Sequence, residues 1–353
     1  MNTTDKEYTM QVTFLIGNGF DLNLGLNTRY SDFLETYKHA TDGDSKEVKK
    51  FKEEILTNEK LWSDSELAFG RYTVRCKELG ISAETFCDLH EDFDDKLGEY
   101  LLREEQRVCP SDIAPAFGAS LKKILQGLTT VQKEQVQASI NRNEYAFSYN
   151  FIIFNYTEII DKIVTGENTA KLSLGMRRVR NTSENNSIGK VIHVHGTTDT
   201  QMVLGVNDIS QIACPELFEG QPQELIESMI KVQANKMFEE KTDETALAIL
   251  NQSDLIYVYG MALGDTDALW WDRVCQVMKS KPSLHTIIHV FNASVSARHR
   301  RKLVTFETRV KNRLCSFTKD ASASLRDRIH IDASNIFEEI KDACIVKEKS
   351  QTA

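Results

Sequence analysis

A few short polar stretches in this chain carry the residue types from which catalytic and nucleotide-binding sites are built, and each follows an apolar run. Gly17-Asn18-Gly19-Phe20-Asp21 comes directly after Gln-Val-Thr-Phe-Leu-Ile at 11–16. Glycines at such a junction let the backbone approach a phosphate, and a following helix N-terminus adds partial positive charge. The spacing is neither G-x-G-x-x-G nor G-x-x-x-x-G-K-[ST], so a plain tight turn fits equally well. Asp21 suits either a ribose hydroxyl or an Asx turn. Asn155-Tyr156-Thr157 follows the apolar run at 149–154. An amide at Asn155 can orient a water or a ribose hydroxyl without titrating, or it can turn the chain into a helix at Glu158. His193 and His195 alternate with Ile192 and Val194, so both point to one face of a strand. Two histidines could share a metal, but no third ligand stands nearby in the sequence, and no metal is predicted. His195, beside Gly196 at the strand end, is the candidate base near neutral pH, while His193 reads as a hydrogen-bonded interior residue. After 254–259 come Gly260 to Asp267. Asp265 fits a helix N-cap, and Asp267 either complements the helix dipole or faces a ligand.

Positioning these residues takes strands at 11–16, 149–154, 190–194, 254–259, 285–291 and 328–331, with Met202-Val203-Leu204 as a further short apolar run into Gly205. Asn27-Thr28 offers an N-cap for a helix carrying Tyr30, Phe33, Leu34 and Tyr37. Residues 45–142 read as helix almost throughout, with Phe86, Leu89, Phe93, Leu97, Tyr100 and Leu101 on one stripe. Further helices are expected at 222–240, 243–252, after Asp265, at 295–310 and at 334–345, with a polar exposed loop at 177–189 and a frayed tail after Val346. Strands separated by helices imply βαβ connections and a mainly parallel sheet covered on both faces. The expected fold is α/β and Rossmann-like, with an inserted helical subdomain. Its limits are 1–40 and 148–346 for the core, 41–147 for the insertion and 347–353 for the tail. In such a sheet the carboxyl ends of the strands share one edge, where ligands settle. Gly17, Asn18, Gly19, Asp21 and Thr28 are thus expected to share one nucleotide pocket with Tyr156, Gly196, Gly260 and Asp267, around Asn155 and His195 as the catalytic pair.

The 353 residues carry 43 basic and 52 acidic side chains, a net charge of −9. That balance argues against holding nucleic acid by phosphate neutralisation. The one dense basic run, Arg298 to Lys302, reads as a solvated helix face or as a contact for nucleic acid or an acidic partner. Seven scattered cysteines without a C-x-x-C pair argue against a disulfide framework and a zinc ribbon. No apolar run is long enough for a membrane span, and residues 1–7 lack a signal-peptide profile, so a cytoplasmic location is expected.

Ile16-Gly17-Asn18-Gly19-Phe20-Asp21-Leu22, then Gly25-Leu26-Asn27-Thr28 and Tyr30-Ser31-Asp32-Phe33-Leu34, resembles the opening of the AbiH family, bacterial proteins associated with abortive infection, a defence against phage. Phe154 to Thr157, His193 to Gly196, Leu204-Gly205 and Gly260 to Asp267 occur in the family's order, so the resemblance covers nearly the whole chain. One departure is that Met261-Ala262 stands where the family has His-Ser, which removes a hydroxyl. AbiH-like proteins are in turn similar to the sirtuin-type NAD-binding fold. That likeness implies NAD as substrate or ligand, with Asn155 matching its asparagine and His195 its catalytic histidine. It implies hydrolysis of the nicotinamide–ribose bond, the pyrophosphate on the Gly17–Gly19 turn and Asp21 or Asp267 stabilising the oxocarbenium charge. The lack of paired cysteines argues against a zinc-bearing deacetylase. The alternatives are a non-catalytic nucleotide sensor whose helical insertion signals to a partner, and an effector acting on nucleic acid. The expected partners are a small-molecule nucleotide and a phage-derived trigger or partner protein, with no nucleic acid or membrane. Assembly into a homo-oligomer is left open.

Overall fold

The computed structural model describes residues 9–140, 145–179, 182–237, 241–291, 300–319 and 322–350. Its strands are β1 (Thr9–Ile16), β2 (Ala146–Ile153), β3 (Met176–Val179), β4 (Thr182–Asn185), β5 (Ser187–His193), β6 (Leu255–Tyr259), β7 (His285–His289) and β8 (Ile329–Asp332). Six of them form one sheet in the order β5-β2-β1-β6-β7-β8, with every neighbouring pair parallel. Counted along the chain, these six run 3-2-1-4-5-6, the doubly wound Rossmann-like order. The direction of winding reverses between β1 and β6.

Continuous apolar runs form the central strands because both faces are covered. On one face Val12, Phe14, Ile16, Phe151, Ile153 and Tyr257 pack against the helices Pro110–Leu121, Ile159–Val164 and Glu338–Ser350. On the other, Leu15, Ile152, Ile256, Val258 and Ile288 meet the helices Thr242–Gln252, Ala268–Ser280 and Arg300–Cys315. A third cluster belongs to a helical lobe built from Tyr30–Tyr37, Lys46–Thr57, Glu59–Trp62, Ser65–Leu79 and Ala83–Glu105. It also takes in Met202, Leu204, Phe218 and Ile230 from far along the chain, whereas Phe117 and Val136 pack on the sheet. Apolar packing thus follows other limits than the 41–147 segment. No helix among the described residues is long and apolar enough to cross a membrane.

Several local expectations are corrected. Within 177–189, β3 and β4 pair as an antiparallel hairpin and β5 begins at Ser187. Every residue of β4 is exposed, so no apolar alternation announces it. Instead the Asn186 side chain ties the hairpin down, accepting from the Phe147 amide (2.8 Å) and donating to the Leu174 carbonyl (2.9 Å). Residues 202–204 form no strand, and Met202 and Leu204 are buried in the helical lobe. The helix expected at 222–240 is split into Gln223–Glu227 and Lys231–Met237, with 238–240 outside the described residues. Val206 causes the break by exchanging backbone hydrogen bonds with Met229 and Lys231 (2.8 and 2.9 Å). The helix after Thr28 starts at Tyr30, capped where the Arg29 amide donates to Asp32 (3.2 Å). β7 stops at His289. Of the helix expected at 295–310, residues 295–299, and with them Arg298, lie outside the described residues. The last helix starts later, at Glu338, because Asp332 and Asn335 side chains hold the amides of Ser334 and Phe337 in turns (2.7 and 3.0 Å). It runs through Val346 to Ser350 where a frayed tail was expected, and 351–353 lie outside the described residues.

β1 and β6 are joined beyond their last residues by touching turns. A Cβ added at Gly19 would lie 2.4 Å from Gly260 Cα, with backbone rather than a flexible side chain in the way. Gly19→Ala should therefore destabilise the chain by roughly 1–3 kcal/mol through overpacking, read as a lower urea midpoint. An unchanged midpoint would mean that the two turns can part at no cost.

Candidate functional site

The two turns at the reversal point lie backbone to backbone. The Gly17 amide donates to the Tyr259 carbonyl (2.9 Å) and the Gly19 amide to the Gly260 carbonyl (2.8 Å). Gly260 has φ +70°, and a Cβ there would crowd the Phe20 amide. Close approach of backbone is thus sufficient reason for these glycines. Within the turn, Asn18 offers the amide that has no protein partner among the described residues. Its side chain clamps the following segment, donating to the Thr28 carbonyl (2.8 Å) and accepting from the Thr28 hydroxyl (2.5 Å).

The short helix Gly19–Asn23 carries Asp21 into the edge of the sheet. There Asn155 Nδ2 donates to Asp21 Oδ1 (3.0 Å) and the Thr157 hydroxyl donates to Oδ2 (2.8 Å). Burial pushes the Asp21 carboxyl up to about 7, although both hydrogen bonds favour the ionised form. The other amide atom, Asn155 Oδ1, is buried without a protein partner. A buried acceptor left open is costly unless something else meets it.

His195 is buried, with its ring edge-on to Phe154 at 5.6 Å. Burial and the nearby Lys231 charge hold its pKa well below 6.5, so the imidazole is neutral near pH 7. His193 turns away from the cavity. Its Nδ1 bonds the Asn155 carbonyl (3.0 Å) and its Nε2 bonds Asp161 (2.7 Å), which fixes the backbone at Asn155. Burial lowers the His193 pKa, but the Asp161 hydrogen bond and charge outweigh it, and the net shift is upward.

Asp267 stands at the N-cap of Ala268–Ser280 yet makes no capping bond with its side chain. Burial pushes it up to about 6. Asp265 is held by Arg313 (2.7 Å). Opposite Asp267, Glu66 and Lys231 form a buried ion pair (2.8 Å), and the hydroxyls of Tyr30 and Tyr156 both donate to Glu66 (3.3 Å each).

These groups surround a cavity of about 420 Å³, within the usual range for small-molecule pockets. Gly17, Asn18, Gly19, Asp21, Thr28, Asn155, Tyr156, His195, Gly260 and Asp267 all line it. Gly196 does not. It sits at φ +72°, where a Cβ would lie 1.7 Å from the Gln201 carbonyl oxygen, so a tight turn accounts for it. Met261 and Ala262 also line the wall. Sequence reasoning missed Tyr30, Asp64, Glu66 and Lys231, all of which line the cavity. Glu66 reads locally as an ordinary acid in a helix, and only its pairing with a residue 165 positions away marks it. With Asp21, Asp64, Glu66 and Asp267 facing Lys231, the wall is rich in carboxyl groups. Among the described residues, no group of three or more His, Cys, Asp or Glu is placed to hold a metal.

Two stability measurements probe this electrostatics. Lys231→Met strands Glu66 and should cost about 3–5 kcal/mol in denaturant unfolding, whereas Lys231→Met with Glu66→Gln should recover most of it. No recovery would mean that packing, not charge, makes Lys231 necessary. Folded Asp21 binds its proton more tightly than its ordinary value of 3.8. Its contribution is therefore fully present below about pH 4 and is lost as the pH rises through about 7. Asp21→Asn should then raise the melting temperature relative to the parent at pH 8 and change it little at pH 4. An equal effect at pH 8 and pH 4 would show that burial does not govern this carboxyl.

The profile of the family described as Bacteriophage abortive infection AbiH matches residues 13–289. Comparison with curated proteins gives no match, and neither does comparison with solved structures. The family match takes in both glycine turns, Asn155 and His195, and extends over well more than half of the chain. The chain belongs to the AbiH family, and its role lies in bacteriophage abortive infection.

Proposed function

We propose that this protein acts in abortive infection by hydrolysing the bond between nicotinamide and ribose in NAD. The observation that carries the reading is Asn155. Its Nδ2 is anchored by Asp21, and its Oδ1 is a buried acceptor without a protein partner, in the same cavity as a neutral His195. In the reaction the C1′–N1 bond breaks and its electron pair stays on nicotinamide, neutralising the ring. Water adds to C1′ and loses a proton, leaving ADP-ribose. Asn155 Oδ1 accepts from the water or from a ribose hydroxyl, and the imidazole of His195 takes the proton. Positive charge grows on the ribose before water attacks, and the carboxylates of Asp21 and Asp267 lower the energy of that charge. The same carboxyl-rich wall suits the cationic nicotinamide ring of the substrate.

A second reading, a nucleotide sensor without turnover, is favoured by the part of the wall that comes from the helical lobe, through Tyr30, Asp64 and Glu66. Occupancy would be felt directly in that lobe.

Purified protein mixed with NAD should release nicotinamide, and Asn155→Ala or His195→Ala should each lower kcat by about 10²–10⁴-fold with the melting temperature kept. No nicotinamide from the parent chain, even with phage lysate added, would sink the hydrolase. If NAD still raises the melting temperature of an Asn155→Ala/His195→Ala double variant and no product forms from the parent, the sensor reading stands instead.

A further inference from the structure

A second, larger cavity of about 940 Å³ opens on the other side of the reversal point, over the carboxyl ends of β6, β7 and β8. It shares Gly19, Leu22, Gly260, Met261 and Ala262 with the first cavity, so the two are separated only by the interlocked turns. In doubly wound sheets a dinucleotide spans the crevice at this reversal, with one half on each side.

The charges on the two sides are opposite. The first cavity presents the carboxyls of Asp21, Asp64, Glu66 and Asp267 against Lys231. Asp21 is only partly ionised near pH 7 and Glu66 is paired with Lys231, but the wall still carries more carboxyl than cationic groups and opposes a phosphate. The second is faced by Arg29, Arg309 and Lys341. The side chains of Arg309 and Lys341 make no ion pair or hydrogen bond among the described residues, and Arg29 is only loosely paired with Asp32, at 3.8 Å. Glu338, the carboxylate on this side, already accepts from Asn335 Nδ2 (2.8 Å). Arg313 is committed to the Leu263 carbonyl and Asp265.

The cavity also has a face for a flat ring. Phe306 and Val310, one helical turn apart, line it beside Arg309, and Phe291 at its rim is 86% exposed. An exposed phenyl ring stacks well on a nucleobase. The glycine turn, in contrast, has already given its Gly17 and Gly19 amides to the β6 end, which leaves little for a pyrophosphate. Phe291, Phe306, Arg309 and Lys341 all lie beyond residue 289, where the family match ends.

We propose that the second cavity is a nucleoside diphosphate subsite, with the phosphates against Arg309 and Lys341 and the base against Phe291 and Phe306. The inference rests on the NAD reading of the first cavity and orients that substrate. The nicotinamide riboside end enters the carboxyl-rich side, and the ADP half crosses the Gly19–Gly260 wall to the basic side.

The test uses ADP alone as the probe, by titration calorimetry on the full chain, so that turnover is not needed. ADP should bind, and Arg309→Glu/Lys341→Glu should weaken its Kd about tenfold or more, since each charge-assisted bond lost is worth roughly that much. Phe291→Ala should weaken it severalfold and leave the salt dependence unchanged. Both arginine and lysine are exposed, and a retained melting temperature in the double variant shows that folding is intact. ADP that fails to bind the parent, or binds the charge-reversed variant equally well, overturns the subsite. If ADP binding is lost in the variant while the parent releases no nicotinamide, the subsite is supported and the hydrolase reading alone fails.

Discussion

Two backbone turns in direct contact, Gly17 to Gly19 after β1 and Gly260 to Ala262 after β6, are the constraint on which the rest of the site depends. Because Gly17, Gly19 and Gly260 carry no side chain, the amides of one turn reach the carbonyls of the other strand end at 2.8–2.9 Å. That contact brings the two halves of the doubly wound sheet together where its winding reverses. It sets the start of the helix Gly19–Asn23, which aims Asp21 at Asn155 and Thr157. It also forms the thin wall between two cavities whose charges differ in sign.

The first cavity concentrates ionisable groups that water would otherwise hold apart. Carboxyls at Asp21 and Asp267 are pushed upward by burial, while His195 is pushed downward by burial and by Lys231. Environments that drive acids and bases toward each other in this way are typical of sites that move protons. The buried pair of Glu66 and Lys231 has a different character. Desolvation offsets much of the attraction in such pairs, so its worth lies more in fixing the geometry of Tyr30 and Tyr156 than in net stability.

The helical lobe is more than an insertion between β1 and β2. Its aromatic interior, in which Phe33, Phe51, Trp62, Phe69 and Phe93 pack edge to face, is completed by Met202, Leu204 and Ile230 from beyond β5. The same returning segment supplies Lys231 to Glu66. Lobe and sheet are therefore coupled through the cavity itself. A ligand that displaced the Tyr30 and Tyr156 hydroxyls would act on both at once.

Local pattern was enough for much of this. The apolar runs at 11–16, 149–154 and 254–259 are strands because their residues are buried on both faces, whereas 190–194 falls in the half-buried edge strand β5, held by its pairing with β2. Glycine, asparagine or histidine after each run marked the edge where Gly17, Asn155, His195 and Gly260 meet. Other features had no local signature. β4 is wholly exposed and is held by pairing and by the Asn186 amide, and the helix at 222–240 breaks because Val206 takes its backbone partners. Gly196 looked like part of the pocket because its type and position matched, although its φ is set by a turn against Gln201. The sequence by itself determined the strands of the main sheet, most of the helices and which residues follow the central strands, since periodicity and turn chemistry act over a few residues. Only the tertiary structure decided the partners of Glu66 and Lys231, the side of the sheet on which each charge gathers, and the shifted protonation of Asp21 and His195. Those properties arise from burial and from contacts between distant segments, which no short stretch of chain contains.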